Sequence, residues 1–452
     1  MIPVVTPDEM AAIDAAAPEP VDELIRRAGA AVASDALRIL GGGYGRRIVV
    51  LAGPGNNGAD GREAARLLGR RGARTVVWSL GDLPQRVDDA DLVIDAVLGT
   101  GARPGFGGPE IGPHIPVLAV DLPSGVDGLT GAAGNGVPAA DHTVTFAALK
   151  PGLLLHPGAS LAGPVRVADI GLDVSSAGAW VLSDHDVAQL VPTRSHDTHK
   201  WRAAVWVVAG SPGMSGAAHL AVAGAQRAGA GYVRVSSPGV DDDPFRPTES
   251  VGVAVPATGW ATNVLDGIER FAALILGPGL GRGADADVRR VVADAPCPVV
   301  IDGDGLSAFV ADTDSLSRRR SPTVLTPHDG EFARLSGAPP GPDRFAAVRA
   351  LAASTRTVVL LKGSPTLVAN PDGQVLVVTS GDARLATAGT GDVLSGIIGA
   401  LLAQGVEPFS AAAAGAHLHG LAGAVGSRHG LVAGDLPRHL PLVFDQLSHP
   451  ED

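Results

Sequence analysis

The chain has 452 residues, of which 45% are hydrophobic, and a formal net charge of −12 at pH 7. This length favours two domains, and an acidic chain without a Lys/Arg cluster argues against nucleic-acid binding. Cys297 is the only cysteine, which excludes an intrachain disulfide and suits a reducing cytoplasm. We expect no signal peptide and no membrane span, because no stretch of about 18 strongly apolar residues occurs.

The first half of the chain alternates short apolar runs with glycine-rich turns. A helical pattern occupies residues 7–39, and RRIVVLAGPGNNGADGREAARLLGRRG then has the pattern of strand, glycine loop and helix. TVVWSL, ADLVIDAVLGTG, VLAVDLPSG and HTVTFAAL follow as further strands. This βαβ rhythm predicts a doubly wound α/β domain, whose ligands bind at the carboxyl ends of its strands.

The glycine loop GPGNNG, residues 53–58, has the form G-x-G-x-x-G between a strand and a helix. Such a loop can bind a pyrophosphate on backbone N–H groups. No acidic residue ends the next strand, as ribose binding in a dinucleotide fold requires, so generic hydride transfer is disfavoured. Helix capping accounts for one or two of the polar residues Asn56, Asn57 and Asp60, and ligand binding is the alternative for the rest.

Three acidic or hydroxyl side chains follow neighbouring strands of this half. Asp95 ends one strand, and Asp121 and Ser124 follow the next. Together with Asn57 they offer oxygen ligands for a hard cation. Zinc is not expected, because this half has neither cysteine nor a histidine pair at metal-ligand spacing. A turn or cap role is the alternative for each aspartate.

The second half repeats this alternation of strands, glycine loops and helices, beginning with AAVWVVAGSPGMSGAAHLAVAGAQRAG. Polar turns interrupt the alternation at residues 172–198, and we predict two domains, residues 1–180 and 181–452. LILGPGLG, PVVIDGDGL, TVLTPHDGE, TVVLLKGSPTLVA and QVLVVTSG predict the further strands of a second doubly wound α/β domain.

Two motifs of the second half indicate phosphate chemistry. Lys362, in LKGSPT, can meet a phosphate as a point charge. GTGD, residues 389–392, has the form of an anion-binding helix N-terminus, although no Lys-Ser/Thr follows as in a Walker loop. An acid beside bound phosphate suits a general base better than a cap, so we interpret Asp392 as the base. His328 lies in a turn, where either ligand contact or a structural role is open.

These motifs together resemble a known pair of families. GNNGADG, DAVLGTG, DLPSGVDGLTG and TVTFAALKPGLLL resemble the YjeF N-terminal family of NAD(P)H-hydrate epimerases. GSPGMSGAA, GPGLG, TPHDGE, LKGSPT and AGTGDVLSG resemble the ADP-dependent NAD(P)H-hydrate dehydratases of the ribokinase-like superfamily. The resemblance covers nearly the whole chain. It implies a Rossmann-like first domain and a ribokinase-like second domain.

The resemblance implies two activities, nucleotide repair in the cytoplasm and a homo-oligomer. The first domain would interconvert the R and S epimers of hydrated NADH or NADPH, with Asp121 as the acid/base. The second would convert the S epimer to NAD(P)H with ADP and Mg²⁺, releasing AMP and phosphate, with Asp392 as the base. The implied substrate contacts are Asn56, Asn57, Gly58, Ala59, Asp60, Gly99, Thr100, Gly101, Gly105, Asp121, Ala217, Gly279, His328 and Asp392. The implied nucleotide contacts are Lys362, Gly363, Ser364, Pro365, Thr366 and Gly391, and the implied K⁺ ligands are Asn57, Asp95 and Ser124.

The sequence departs from the family patterns at two positions that matter here. Ala59 replaces the usual second glycine of NNGGDG, and an alanine would be strained if that position needs a positive φ. Asp329 replaces the proline of TPHPGE, which adds charge near His328 and would loosen the turn. Two alternatives stay open: a ribokinase-like small-molecule kinase fused to a nucleotide-binding domain, and a non-catalytic first domain.

Overall fold

The computed structural model describes residues 1–101 and 106–448. The chain divides into two compact units, Ile2–Ala179 and Trp180–Asp452, the second of which also includes Met1. Each unit contains a sheet flanked by helices, so the predicted α/β class is confirmed. No helix in the described ranges is both long and apolar enough to cross a membrane.

The N-terminal unit is built around a six-stranded parallel sheet of order β3-β2-β5-β7-β8-β9. The strand order reverses direction between β2 and β5, and ligands of doubly wound folds bind at such a point. The elements are β1 (Ile2–Val4), α1 (Pro7–Ala16), α2 (Val21–Leu40), β2 (Arg47–Ala52), α3 (Asn56–Arg70), β3 (Arg74–Ser79), β4 (Arg86–Val87), β5 (Leu92–Ala96), β6 (Glu110–Ile111), β7 (Val117–Val120), β8 (His142–Phe146), α4 (Gly158–Leu161) and β9 (Val165–Ala168).

Burial explains the continuous apolar runs of this sheet. Ile48–Ala52 of β2 and Leu92–Ala96 of β5 are buried, as expected for parallel strands covered on both faces. The glycine loop turns tightly into α3, because a Cβ at Gly58 would lie 1.9 Å from the carbonyl oxygen of Gly53. Because the strands of this sheet are parallel, the three strand ends predicted to carry polar residues lie along one edge of the sheet.

The C-terminal unit has a larger sheet, in which the strands from β10 onward have the order β10-β19-β18-β17-β16-β15-β14-β11-β12-β13. Its elements are β10 (Ala179–Val181), α5 (Asp184–Leu190), β11 (Ala204–Val208), α6 (Ser215–Arg227), β12 (Tyr232–Ser236), β13 (Val251–Gly252), α7 (Ala261–Gly267), β14 (Ala273–Leu276), α8 (Asp285–Asp294), β15 (Val299–Ile301), α9 (Asp304–Ser307), α10 (Asp314–Ser317), β16 (Thr323–Leu325), α11 (Asp329–Ser336), α12 (Arg344–Thr355), β17 (Val358–Leu361), β18 (Thr366–Ala369), β19 (Val375–Val378), α13 (Thr390–Ala403), α14 (Pro408–Val425) and α15 (Leu436–Ser448).

The strands of this sheet are parallel from β13 to β17, and β18 and β19 continue it as antiparallel strands. The stretch TVVLLKGSPTLVA forms two strands, which are joined by the turn 362–365. Helices α6 and α13 pack so closely that their backbones are in contact. A Cβ at Gly396 would lie 2.2 Å from the Ala221 carbonyl oxygen, and one at Gly224 would lie 2.5 Å from that of Val393. This packing fixes the start of α13, where Asp392 lies.

Candidate active sites

A cavity of about 460 Å³ opens in the N-terminal unit, at the edge where β2, β5 and β7 end. Apolar side chains of α1 and α2, among them Met10, Leu24 and Ile25, form one wall. The predicted site residues that line the cavity are Asn56, Asn57, Asp60, Gly99, Thr100, Gly101 and Asp121. The structure therefore brings the polar residues of three separate loops to one concave site.

Asp121 is the centre of a buried hydrogen-bond network. One carboxylate oxygen accepts from Lys150 Nζ at 2.6 Å and from Thr145 Oγ1 at 2.9 Å. The other oxygen accepts from the Thr100 N–H at 3.2 Å. Asp121 has φ +67°, an uncommon backbone conformation for a residue other than glycine, and this pattern is found at functional sites.

Lys150 is a functional candidate that the sequence interpretation missed. Its side chain is 1% exposed, and Nζ donates to Asp121, to Thr145 and, at 3.1 Å, to the Phe146 carbonyl oxygen. Lysine is almost never fully buried unless it is paired. The signal was available in the stretch TVTFAALKPGLLL, where Lys150 is the only charged residue.

Asp60 is the second carboxyl group of this cavity. Burial, followed by the nearby charges of Asp121 and Asp14, raises the pKa of Asp60 to about 8. Burial also raises the pKa of Asp14, against the opposing effect of Lys150. At neutral pH Asp60 is therefore mostly protonated and can donate a proton, beside an aspartate that is ion-paired to lysine.

Two predicted K⁺ ligands, Asp95 and Ser124, are in direct contact. Asp95 accepts from Ser124 Oγ at 2.6 Å and from the Ser124 N–H at 2.8 Å, and burial raises the pKa of Asp95. Within the described residues, Asp95 has no cationic side-chain partner. The amide nitrogen of Asn57, the third predicted ligand, is buried without a hydrogen-bond partner.

The structure does not place the other two predicted substrate contacts that it describes in this half, Gly58 and Ala59, in the wall of the cavity. Ala59 lies in the first turn of α3, where its N–H donates to the Gly55 carbonyl oxygen at 3.1 Å, and it does not have a positive φ. The condition under which Ala59 would be strained, a positive φ, is therefore not met. Gly58 and Ala59 do not line the cavity, and Gly58 instead shapes the turn. Gly105 lies outside the described residues.

The second site lies where β15 and β17 of the C-terminal unit end. Lys362 Nζ donates to Asp302 at 2.6 Å, and Ser395 Oγ of α13 donates to the other Asp302 oxygen at 2.8 Å. A Cβ at Gly391 would lie 3.1 Å from Lys362 Nζ, so the two predicted phosphate motifs meet. Burial lowers the pKa of Lys362, but Asp302 and Glu331 outweigh burial and raise it. Our sequence interpretation missed Asp302, although it directly follows β15, as Asp121 directly follows β7.

Asp392 lies in the first turn of α13 without capping it. The N-cap residue is Gly389, with φ +91°, and no side chain makes a capping hydrogen bond there. Burial and, next, the negative charge of Asp302 raise the pKa of Asp392 to about 7, although Lys362 opposes the shift. A carboxyl group with this pKa can both accept and release a proton near neutral pH.

His328 has a structural role in this unit. Its Nδ1 accepts from the Gly330 N–H at 3.0 Å and caps α11, while Glu331 accepts from the His328 N–H at 3.0 Å. The ring is 56% exposed, so a ligand can still contact it, although Nε2 lies 3.6 Å from a Glu331 carboxylate oxygen. Glu331 is buried, and burial raises the pKa of this carboxyl group above its ordinary value.

The other predicted substrate and nucleotide residues lie in loops or near the ends of helices and strands. Gly279 has φ +62°, and its absent Cβ would lie 2.8 Å from that of Ala217, so these two residues are neighbours. The turn that contains Gly363, Ser364 and Pro365 joins β17 to β18 and ends at Thr366, whose Oγ1 donates to the Gly363 carbonyl oxygen at 3.1 Å. The binding roles of these residues stay predictions.

Comparisons with known proteins agree with both halves. Residues 205–441 match the NAD(P)H-hydrate dehydratase family, and residues 21–91 and 79–152 match the family of YjeF-related protein N-termini. The bifunctional NAD(P)H-hydrate repair enzyme of Moorella thermoacetica is 38% identical, over 89% of this chain and 88% of its own length. That of Escherichia coli is 33% identical, over 95% of this chain and 90% of its own. The chain belongs to the bifunctional NAD(P)H-hydrate repair enzymes.

Solved structures support the same assignment for the second half. An ADP/ATP-dependent NAD(P)H-hydrate dehydratase from Bacillus subtilis, co-crystallised with ATP and Mg²⁺, is 31% identical. It matches with a TM-score of 0.50 and covers 59% of this repair-family chain and 97% of its own. A ribokinase-like superfamily protein from Enterococcus faecalis matches with a TM-score of 0.55 at 25% identity, over 60% of this chain and 98% of its own. The predicted family, fold and enzyme class are confirmed.

Proposed function

We propose that this chain performs both repair reactions itself. Residues 1–180 would epimerise the R and S hydrates of NADH and NADPH, and residues 181–452 would dehydrate the S hydrate with ADP, giving NAD(P)H, AMP and phosphate. The observation that carries this proposal is the state of Asp392. It is a carboxyl group with a pKa of about 7, with no capping bond, at a helix N-terminus beside Lys362.

The dehydration step follows from this geometry. Asp392 takes the proton of the C6 hydroxyl, and that oxygen attacks the β-phosphorus of ADP while the bond to the α-phosphate oxygen breaks and AMP leaves. The N–H groups at the start of α13, with Lys362, stabilise the charge that develops on the phosphate. The ring nitrogen then expels phosphate from C6, and loss of a C5 proton restores the dihydropyridine. Phosphate leaves far more readily than hydroxide.

Mg²⁺ would neutralise phosphate charge in this site. The B. subtilis dehydratase was co-crystallised with ATP and Mg²⁺. No cluster of three potential metal ligands occurs among the described residues of this chain. Mg²⁺ commonly binds to substrate phosphates with one or two carboxylates, and the residues fit that mode. Asp304 and Glu331, whose charges act on Asp392, would hold it.

The epimerisation step uses the second carboxyl group of the N-terminal cavity. Asp60, protonated at neutral pH, donates a proton to the C6 hydroxyl, which leaves as water while the ring nitrogen supplies its electron pair. C6 is then planar, and water adds to either face. Asp121, held by Lys150 and Thr145, accepts the proton of the incoming water. The apolar wall from α1 and α2 would shelter the ring.

A monovalent cation fits beside this cavity. Asp95 is 3% exposed without a cationic partner in the described ranges, and its carboxylate and the Ser124 hydroxyl, whose oxygens lie 2.6 Å apart, offer oxygen ligands. Asn57, Asp95 and Ser124 would hold K⁺, which would supply the missing positive charge and orient the phosphate-binding loop. A homo-oligomer, a cytoplasmic location and the absence of a nucleic-acid partner belong to the same proposal.

The experiment that tests the function follows the absorbance of reduced nicotinamide from a mixture of R and S hydrates, with ADP, ATP or neither. We expect both epimers to be converted to NAD(P)H, only when nucleotide is present and faster than the epimers interconvert spontaneously. Recovery that stops once S is consumed would leave the N-terminal unit as a binding domain. No recovery with either nucleotide would favour the small-molecule kinase, which the two family matches disfavour.

A further inference from the structure

Arg344 links three elements at the edge of the C-terminal sheet. It is the first residue of α12, and its guanidinium forms a two-bond ion pair with Asp329, the first residue of α11, at 2.9 and 2.7 Å. One of the same nitrogens donates to the Lys362 carbonyl oxygen at 3.4 Å. The residue therefore joins the starts of two helices to the beginning of the loop 362–366.

The loop requires glycine where Arg344 packs against it. A Cβ at Gly363 would lie 3.0 Å from the Arg344 Nη2 atom and 3.2 Å from the Pro365 carbonyl oxygen. A side chain at this position would require the guanidinium or the Pro365 carbonyl group to shift by a few tenths of an ångström. Gly363 thus serves a close approach of arginine to backbone, and its φ is not in the positive range.

The loop is held on one side by an ion pair and on the other by a longer hydrogen bond to its backbone. The Lys362 side chain is fixed by Asp302 at 2.6 Å, and the Lys362 carbonyl oxygen is fixed by Arg344. Arg344 is 20% exposed and Asp329 is 58% exposed, and an ion pair this accessible contributes little to stability. The two hydrogen bonds to Asp329 nevertheless fix the orientation of the Arg344 guanidinium group. Its main effect is therefore on the geometry of the loop.

We propose that Arg344 is a positioning residue for the nucleotide loop, with Asp329 as its tether. The inference rests on the proposed function, in which residues 362–366 bind the phosphates of ADP. A loop fixed before ADP arrives loses less conformational freedom on binding. Asp329 is thus more than a departure from TPHPGE. We expected it to loosen the turn, and the structure instead pairs it with Arg344.

The test compares Arg344→Met and Arg344→Lys with Arg349→Met. Arg349 lies on the same helix but donates to the Gly373 carbonyl oxygen, so it is a matched control for loss of an arginine from α12. The KM for ADP and the kcat of S-hydrate dehydration are measured, with the Tm of each variant. Because the untethered loop must be ordered when ADP binds, we expect Arg344→Met to raise KM for ADP about 3- to 10-fold. We expect kcat within about threefold and an unchanged Tm, since the loop is misplaced but the Asp392 base is intact.

Arg344→Lys should recover part of the lost affinity, because lysine keeps the charge but cannot bond Asp329 and the loop together. An equal KM for Arg344→Met and Arg349→Met would overturn the inference. A KM that rises only in proportion to a lower Tm would do the same. Calorimetric titration with ADP gives a readout that needs no turnover. If the wild type fails to dehydrate, the proposed function fails; an unchanged Kd for Arg344→Met rejects the positioning role separately.

Discussion

The two candidate active sites share one electrostatic arrangement on unrelated sequences. Each has a lysine–aspartate pair at 2.6 Å, Lys150 with Asp121 in one unit and Lys362 with Asp302 in the other. Each has a further carboxyl group with a raised pKa, about 8 for Asp60 and about 7 for Asp392. In both, burial is the largest cause and a neighbouring aspartate adds to it.

Under the proposed function, the two sites differ in which carboxyl group works as a base. In the N-terminal cavity the carboxyl with the raised pKa is largely protonated at pH 7, which suits an acid. In the C-terminal site Asp392 is near its pKa at pH 7 and lies at a helix N-terminus, which suits a base beside phosphate. Under the proposed function, burial of a carboxyl group beside an aspartate would therefore serve opposite proton transfers in the two sites.

The largest expected effect comes from Asp392→Asn. The amide keeps the shape of the side chain but cannot take the hydroxyl proton, so dehydration should fall by about 10²–10⁴-fold. Steady-state dehydration of pure S hydrate measures this, with ADP binding and epimerisation as controls that stay near wild type. A variant that unfolds yet keeps its activity per folded molecule would make Asp392 a structural residue.

Asp121→Ala should separate the two sites. Removal of the carboxylate leaves Lys150 buried and unpaired, and epimerisation should fall to the spontaneous rate. Dehydration of pure S hydrate should persist, because that chemistry belongs to the other unit. Chromatography of R and S over time measures the first, and nicotinamide absorbance measures the second. Loss of both activities in a folded variant would contradict the division of labour.

The pH profiles should run in opposite directions. The raised pKa of Asp392, about 7, means that kcat/KM for dehydration rises about tenfold per pH unit below that value and levels off above it. The raised pKa of Asp60, about 8, means that epimerisation declines above pH 8 as the acid loses its proton. Initial rates from pH 5.5 to 9.5 test both. If both rates change with pH in the same direction, Asp60 and Asp392 do not act as acid and base, respectively.

The smallest effect concerns the cation. Replacement of K⁺ by choline at constant ionic strength should slow epimerisation, because Asp95 loses its counter-charge, while dehydration of pure S hydrate changes little. Asp95→Asn should remove this dependence on K⁺. If the epimerisation rate of Asp95→Asn still depends on K⁺, the cation binds at a position other than Asp95.

The sequence was sufficient to predict the strand–glycine loop–helix units and the edge on which the polar residues meet, because the βαβ alternation is local. It could not predict the pairs Lys150–Asp121 and Lys362–Asp302, whose partners are 29 and 60 residues apart. Nor could it predict that His328 caps α11 or that Asp329 pairs with Arg344. Those contacts depend on how whole elements pack, and the local pattern around each residue is compatible with several roles.

The most direct test of two separate sites on one chain mixes two full-length variants, each of which lacks one of the two activities. Asp392→Asn protein alone should interconvert R and S hydrates but restore no NADH with ADP, and Asp121→Ala protein alone should restore only the S fraction beyond spontaneous epimerisation. Mixed together, the two proteins should restore the full absorbance of both epimers at an enzyme-dependent rate. A mixture that recovers no more than Asp121→Ala alone would contradict the account.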